Sequence, residues 1–474
     1  MLDTILIILL SFFFITCAGP KAKNNSENEV NYGSKANRKI SNNLNEIELN
    51  LSVVKKVLPN GLTVILMENH HLPIFSYYTF YKVGAVYEQK GITGSAHFLE
   101  HLMFKGTKKY PPGSFDKVIE GNGGHNNAYT TLDLTVYHEV LPIKVMDQII
   151  EVEADRMQNL LLEPEAFEKE RSVILEERKL RYENSAKGQL FQKMLEEVYV
   201  NTPYGGSVIG SVEDLKSVTR DQVYKFFKDY YAPNNAILVV VGDFEAGDVL
   251  NSIEKFYGGI SASPQVEPTI ISRSDPKLFR HQGKYKRDVK IKGEAPEPIF
   301  AYAFPSVKIG DRKGFVLDLL GDILAGGESS YLIQKMVKNE APLLQSVDVS
   351  NYSLNKSGTF FISGELLKGK DLNVVKNSLT KYLKSACRDA INEREIIKTK
   401  NKYMVSFFKK LETNAGLASF LGAYEVNFNN TDFYKKEFEI IESITPNEVA
   451  NVCRELFNNI NGGLFVSVWN KHAK

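Results

Sequence analysis

Alternating apolar and polar positions open the folded part of the chain. Residues 62–66 (Leu-Thr-Val-Ile-Leu) follow the turn residues Pro59-Asn60-Gly61, and residues 74–81 follow Pro73. Both stretches predict β-strands. Apolar positions spaced three and four apart then take over at residues 146–162 and 164–183 and predict long amphipathic helices. Residues 236–242 form an unbroken apolar run that predicts a closing strand. Strands and helices mixed in this way imply α+β layers.

The pattern occurs twice. Pro73-Ile-Phe-Ser-Tyr77 returns as Pro298-Ile-Phe-Ala-Tyr302, and Thr219-Arg-Asp-Gln-Val223 returns loosely as Thr445-Pro-Asn-Glu-Val449. From Pro73 to Thr219 is 146 positions, and from Pro298 to Thr445 is 147. A second closing strand is predicted at residues 463–469. Two weak similarities at matched spacing indicate duplication of a module of about 200 residues. The expected organisation is a first module over 49–260, a linker over 261–296 and a second module over 297–474. The linker carries Pro264, Pro268, Pro276 and Gly283 among polar residues. Each module is expected to be an α/β sandwich, a mixed sheet covered by helices.

The N-terminus has a different composition. Residues 5–15 are apolar and too few to span a bilayer, which takes about 20. Residues 1–19 read as an export signal, although basic residues are missing from its start. Cys17, just after the apolar run, is placed for lipid attachment as in a bacterial lipoprotein; cleavage near Ala18 and an uncleaved anchor are the alternatives. The protein is thus expected in the bacterial cell envelope, facing the periplasm and held to a membrane by lipid. Residues 20–48, rich in Asn, Ser, Lys and Glu, read as a flexible tether. The net charge of +1 argues against a nucleic-acid partner. Cys387 and Cys453 both sit in apolar helical patterns and are expected as buried thiols.

One stretch carries chemistry. His97-Phe-Leu-Glu100-His101 lies in an apolar run opened by Thr93, Gly94 and Ser95 and closed by Gly106, which are helix start and stop signals. Positions four apart share a helix face, so two imidazoles point to one place and Glu100 flanks them. Two imidazoles at that spacing suit zinc, and the carboxylate suits proton transfer from a water. The same pentapeptide also fits a helix with two hydrogen-bonded histidines. A catalytic zinc needs a third protein ligand. Glu170 and Glu177, two turns apart on one helical face, are candidates for a ligand and an outer carboxylate that orients a histidine. Chemistry alone leaves Glu168 and Glu176 open as well, because acidic stripes are usually solvated and paired with basic residues. The corresponding helix of the second copy, near residues 313–325, has no histidine.

Taken together, the inverted zinc motif, the segment Glu170-Arg-Ser-Val-Ile-Leu-Glu-Glu177 and the duplication resemble the pitrilysin–insulinase metallopeptidases (family M16). The likeness is to the short two-module branch of mitochondrial processing peptidase and its bacterial relatives, and it spans about residues 53–470. Further matches are Val57-Leu-Pro-Asn-Gly-Leu-Thr-Val64, Gly123-Gly-His-Asn-Asn-Ala-Tyr-Thr130 and Pro203-Tyr-Gly205. The resemblance implies a zinc endopeptidase with His97, His101 and Glu177 as ligands, Glu170 supporting them and Glu100 as general base. It also implies that Asn127 and Ala128 lie on an exposed edge strand where an extended peptide pairs. Apart from the family, residues 123–130 read equally as a polar hairpin, and His125 and His138 as lone surface or hydrogen-bonded histidines rather than ligands. One departure stands out. The family's second module carries an Arg and a Tyr near the zinc, but here Gly326-Gly-Glu-Ser-Ser-Tyr331-Leu332 has Tyr331 in place of the Arg, and Gln345 lies near the expected Tyr. Within this branch, an intact zinc set without those residues resembles the metal-bearing subunit of a heterodimer whose zinc-less partner supplies Arg and Tyr. A homodimer is the alternative. The rival functions are a non-catalytic scaffold and a peptide-capture protein of the same fold.

Overall fold

The computed structural model describes residues 49, 51–264, 288–458 and 462–470. Residues 1–19, expected as an export signal and including Cys17, the polar segment 20–48 and residues 265–287 of the expected linker lie outside them. The described residues from 51 onward form one compact unit.

The first half runs β1 (Val54–Val57), β2 (Thr63–Glu68), β3 (Ile74–Tyr81), α1 (Ser95–Leu102), α2 (Ser114–Ile119), β4 (His125–Thr130), β5 (Thr135–Pro142), α3 (Met146–Asn159), α4 (Pro164–Arg178), α5 (Ala186–Val198), α6 (Val212–Ser217), α7 (Arg220–Tyr230), β6 (Ala236–Gly242) and α8 (Ala246–Tyr257). The second half runs β7 (Asp288–Gly293), β8 (Ile299–Ser306), α9 (Arg312–Ala325), β9 (Leu344–Ser353), β10 (Gly358–Leu366), α10 (Leu372–Asp389), α11 (Glu393–Lys410), α12 (Asn414–Phe428), α13 (Phe433–Ser443), α14 (Pro446–Asn458) and β11 (Leu464–Asn470). The first sheet has the order β1-β2-β6-β3-β5-β4 and the second β7-β11-β8-β10-β9. Apart from the extra β1, the orders correspond strand for strand. In each sheet one pair is parallel, β2 with β6 and β7 with β11. The fold is α+β in two modules, as the duplication implies.

The unbroken apolar run of β6 has a specific cause. Leu238 and Val240 join the core beneath α1, α3 and α8, while the alternate residues Ile237, Val239 and Val241 are equally buried. Helix α12, from the second half, packs on β3 and β6. Its Asn414 Nδ2 donates to the Ile74 carbonyl at 3.3 Å, and its Glu425 pairs with Lys55 at 2.6 Å. The exchange is mutual, because α5 of the first half covers the second sheet. Leu190, Met194 and Leu195 lie in one cluster with Ile299, Ala301, Val466 and Val468. Both lent helices start alike. Ser185 Oγ accepts from the Gly188 N–H at 3.1 Å, and Thr413 Oγ1 accepts from the Gly416 N–H at 3.0 Å. A Cβ at Gly188 would stand 1.8 Å from the Arg181 carbonyl oxygen, and one at Gly416 1.9 Å from that of Lys410. Each half therefore completes the other's core.

One expectation is corrected. Cys387 on α10 and Cys453 on α14 form a disulfide, with Cα atoms 5.4 Å apart. The apolar patterns correctly place both sulfurs on buried stripes. Which helix each stripe faces is a matter of tertiary packing, and here the stripes face each other within bridging range.

Candidate metal centre and active site

The chain enters α1 through Gly94, whose φ of 91° is left-handed and whose Cβ position lies 2.2 Å from the Ile209 carbonyl oxygen. Only glycine fits there. Neither Thr93 nor Ser95 caps the helix by its side chain. Instead the buried Glu88 accepts from the Gly94 N–H at 2.6 Å and the Ala96 N–H at 2.8 Å. Burial raises its carboxyl to about 8 even though both N–H bonds favour the charged form. Asp214 holds the preceding loop through the N–H groups of Gly91 and Thr93 at 3.0 and 3.1 Å. The helix that carries the motif is thus anchored at its first turn.

Along α1, His97 and His101 stand one turn apart, with ring centroids separated by 4.8 Å. Helix α4 packs against α1 and brings Glu177 to both rings. Its Oε1 lies 3.6 Å from His97 Nε2 and its Oε2 lies 3.2 Å from His101 Nε2. Donor atoms of these three residues fall within 4.8 Å of one another, and no other such trio of His, Cys, Asp or Glu occurs among the described residues. Glu168 and Glu176 point elsewhere, toward Arg171 at 2.8 Å and Lys179 at 3.8 Å. Glu170, two turns before Glu177, sets its Oε2 3.3 Å from His101 Nδ1 and its Oε1 2.6 Å from Lys105 Nζ. That bond leaves His101 Nε2 aimed at the shared point. His97 Nδ1 is buried without a partner among the described residues.

The pocket favours positive charge. Burial alone lowers the His101 pKa, but the carboxylates of Glu170 and Glu177 outweigh it and raise it to about 9. For Glu177, burial raises the pKa, and hydrogen bonds from the two imidazoles together with the charge of Arg181 outweigh it; its carboxyl lies well below the usual range. The donor set fits zinc. Ligand atoms about 2.0–2.1 Å from a tetrahedral ion stand about 3.4 Å apart; here the separate Glu177 oxygens lie 3.6 Å (Oε1) and 3.2 Å (Oε2) from the two imidazole nitrogens, within a trio whose donors lie within 4.8 Å of one another.

Glu100 lies on the flank of α1 beside the sheet edge. Thr130 Oγ1, on β4, donates to its Oε2. Strand β4 is the end strand of the first sheet, paired with β5 so that Asn127 faces His138 and Ala128 faces Tyr137. Residues 123–130 are therefore not merely a hairpin turn. Ala128 is buried and Asn127 exposed, and Asn127 Oδ1 accepts from the Ala128 N–H at 2.8 Å. His125 is exposed, whereas His138 is largely buried against Tyr78, with centroids 4.8 Å apart. Burial lowers the His138 pKa to about 4.

Sequence reasoning missed Thr130, Glu88, Lys105 and Arg181. Lys105 and Arg181 each sit four residues from a site residue, a helical spacing that was available as a signal. Glu88 and Thr130 reach α1 only through the fold. In the second half, the Tyr331 hydroxyl lies 2.8 Å from Ser385 Oγ on α10, and Gln345 is exposed at the start of β9.

Residues 64–212 match the family model described as Insulinase (Peptidase family M16), and residues 217–403 match the one described as Peptidase M16 inactive domain. The chain belongs to peptidase family M16. It is similar to the zinc protease PqqE of Helicobacter pylori, with 28% identity over 407 residues, covering 85% of this chain and 89% of that one. It is also similar to the mitochondrial-processing peptidase subunit beta of Mus musculus, with 25% identity over 418 residues, covering 85% and 81%. A crystal structure of a protease from Helicobacter pylori superposes with a TM-score of 0.80 at 24% identity, covering 88% of this chain and 99% of that one. The M16 module with the histidine helix comes first and the one described as inactive second, in keeping with the absence of histidine from α9.

Proposed function

We propose that this chain is a zinc metalloendopeptidase that cuts extended peptides or unfolded segments. His97, His101 and Glu177 hold one zinc ion, Glu170 orients His101 and Glu100 is the general base. The observation that carries this reading is the convergence of those three donors beside a carboxylate tied to the sheet's end strand. Zinc in such a site polarises a carbonyl and lowers the pKa of a water toward about 7. Glu100 takes the proton from the attacking water and delivers it to the departing amine nitrogen. Thr130 holds that carboxylate in place and leaves one oxygen to accept. A peptide lying along β4 pairs by strand addition with the backbone at Asn127 and Ala128. For that, the Asn127 side chain must release the Ala128 N–H it now satisfies. Hydrolysis of a quenched-fluorescent peptide library by the purified protein tests the reading. Activity should fall with a chelator, return with zinc and drop about a thousandfold in Glu100→Gln. Cleavage that survives both treatments would sink it.

Tyr331 favours a second element of the proposal. It stands where the family has an Arg and bonds within its own module to Ser385. We infer that a zinc-less homologue completes the site, and one relative is itself named as a subunit. Addition of such a homologue should raise kcat; full activity from the chain alone (about 1 per second or more) removes the partner. Attachment through lipid at Cys17, on the periplasmic side, remains part of this reading. No described helix is long and apolar enough to cross a membrane. The Cys387–Cys453 disulfide supports an oxidising compartment.

A further inference from the structure

Arg181 lies one turn beyond Glu177. It belongs to a five-residue π-helix, Lys179–Glu183, that continues α4, and π turns gather at functional sites. One guanidinium nitrogen, Nη2, is 2.7 Å from Glu177 Oε1, and the side chain is 31% exposed. The carboxylate's other oxygen, Oε2, is the one 3.2 Å from His101 Nε2. Glu177 thus sets one oxygen toward each histidine, Oε1 at 3.6 Å from His97 Nε2 and Oε2 toward His101, and the oxygen on the His97 side also meets a permanent cation. A guanidinium stays charged throughout the working pH range and can only donate.

The backbone beneath Arg181 is braced from outside the first core. Its carbonyl oxygen sits where the Cβ of any residue other than glycine at 188 would be, 1.8 Å from that position. Gln189 Nε2 donates to the Glu183 carbonyl at 2.6 Å, and the Asn184 N–H closes the π turn on the Lys179 carbonyl at 2.8 Å. Gly188 and Gln189 belong to α5, the helix lent to the second sheet. Packing of the second module therefore bears on Arg181 through α5, and Arg181 bears on Glu177.

We infer that Arg181 is a positioning residue for the metal site: by engaging Glu177 Oε1 it fixes the carboxylate between His97 and His101, the orientation in which it can serve as a ligand beside them. This rests on the zinc reading above. Ligating carboxylates that are themselves hydrogen-bonded bind more tightly, and loss of such a partner typically costs 10–100-fold in metal affinity. The opposite role, a cation competing with the metal for Glu177, predicts the opposite sign.

The test is the zinc dissociation constant of the full chain, measured by competition with a chromophoric chelator, for wild type, Arg181→Met, Arg181→Gln and Arg181→Lys. Thermal melting of the zinc-free forms runs alongside. Because one nitrogen makes the contact, Lys should keep affinity within about threefold. Met and Gln should each weaken it about tenfold, with zinc-free melting unchanged. Having two neutral variants keeps the comparison alive if one fails to fold. Equal or tighter zinc binding by the neutral variants overturns the inference. A wild type that binds no zinc fails before any substitution is compared; it removes the metal reading and this inference with it.

Discussion

Strands β4 and β9 occupy the same end of two sheets with matching strand order, and each runs beside a helix, α1 or α9. In both places a helix carboxylate is tied to the end strand. Thr130 donates to Glu100 in the first, and Asn351 Nδ2 donates to Asp318 at 2.9 Å in the second. The difference lies in what surrounds the tie. Helix α1 adds two histidines one turn apart, and α4 brings Glu177 and Glu170 against them. Helix α9 adds Val316, Leu317, Leu319, Leu320, Ile323 and Leu324, all buried. The same architecture thus supports a polar, cation-seeking pocket in one copy and an apolar core in the other. Chemistry here depends on a handful of side chains laid on a repeated scaffold.

The sharpest way to break that comparison is to remove the base. Glu100→Gln should lower kcat about a thousandfold and leave zinc bound, as steady-state hydrolysis and metal content will show; Asp318→Asn should leave kcat unchanged. Substitution of the third donor comes next. Glu177→Gln should weaken zinc by more than about a hundredfold, beyond the range for outer partners, whereas Glu176→Gln should not change it. Chelator titration separates the two.

Stability effects are smaller and fall elsewhere. The disulfide closes a separation of 66 residues in the second module. Replacing both cysteines by alanine should cost about 2–4 kcal/mol in denaturant unfolding, with zinc affinity unchanged. Last is the pair of helix-start glycines. Gly188→Ala and Gly416→Ala meet the same kind of backbone obstruction, and each should cost about 1–3 kcal/mol. Only Gly188→Ala should also weaken zinc, because only that glycine packs on Arg181. Equal zinc affinity in both variants would show that the lent helix does not bear on the metal site.

Local features of the chain were legible before the fold. The period-2 pattern gives β3, the apolar spacing gives α3 and α4, and the two histidines four apart share a face because a helix requires it. Matched spacing exposes the duplication, and the sheets bear it out strand for strand. What was not legible depends on which surfaces meet. An apolar run such as β6 shows that both faces are covered, but not that α12 comes from the other half. The cysteine stripes are visible as buried, but not as opposed. Chemistry left Glu168, Glu176 and Glu177 equivalent on one helix; only the packing of α4 on α1 selects Glu177 as the residue that meets the histidines. Glu88, distant from α1 in pattern, reaches its first turn through a chain reversal that no periodicity reports.

The central claim is that the first module holds one zinc ion on His97, His101 and Glu177. Its most direct measurement is metal content with competitive zinc titration of the purified chain, beside Glu100→Gln, His97→Ala and Glu177→Gln. Tight one-to-one binding is predicted for wild type and Glu100→Gln, and loss of tight binding for the other two. A wild type without zinc, or wild-type affinity in His97→Ala or Glu177→Gln, would contradict it.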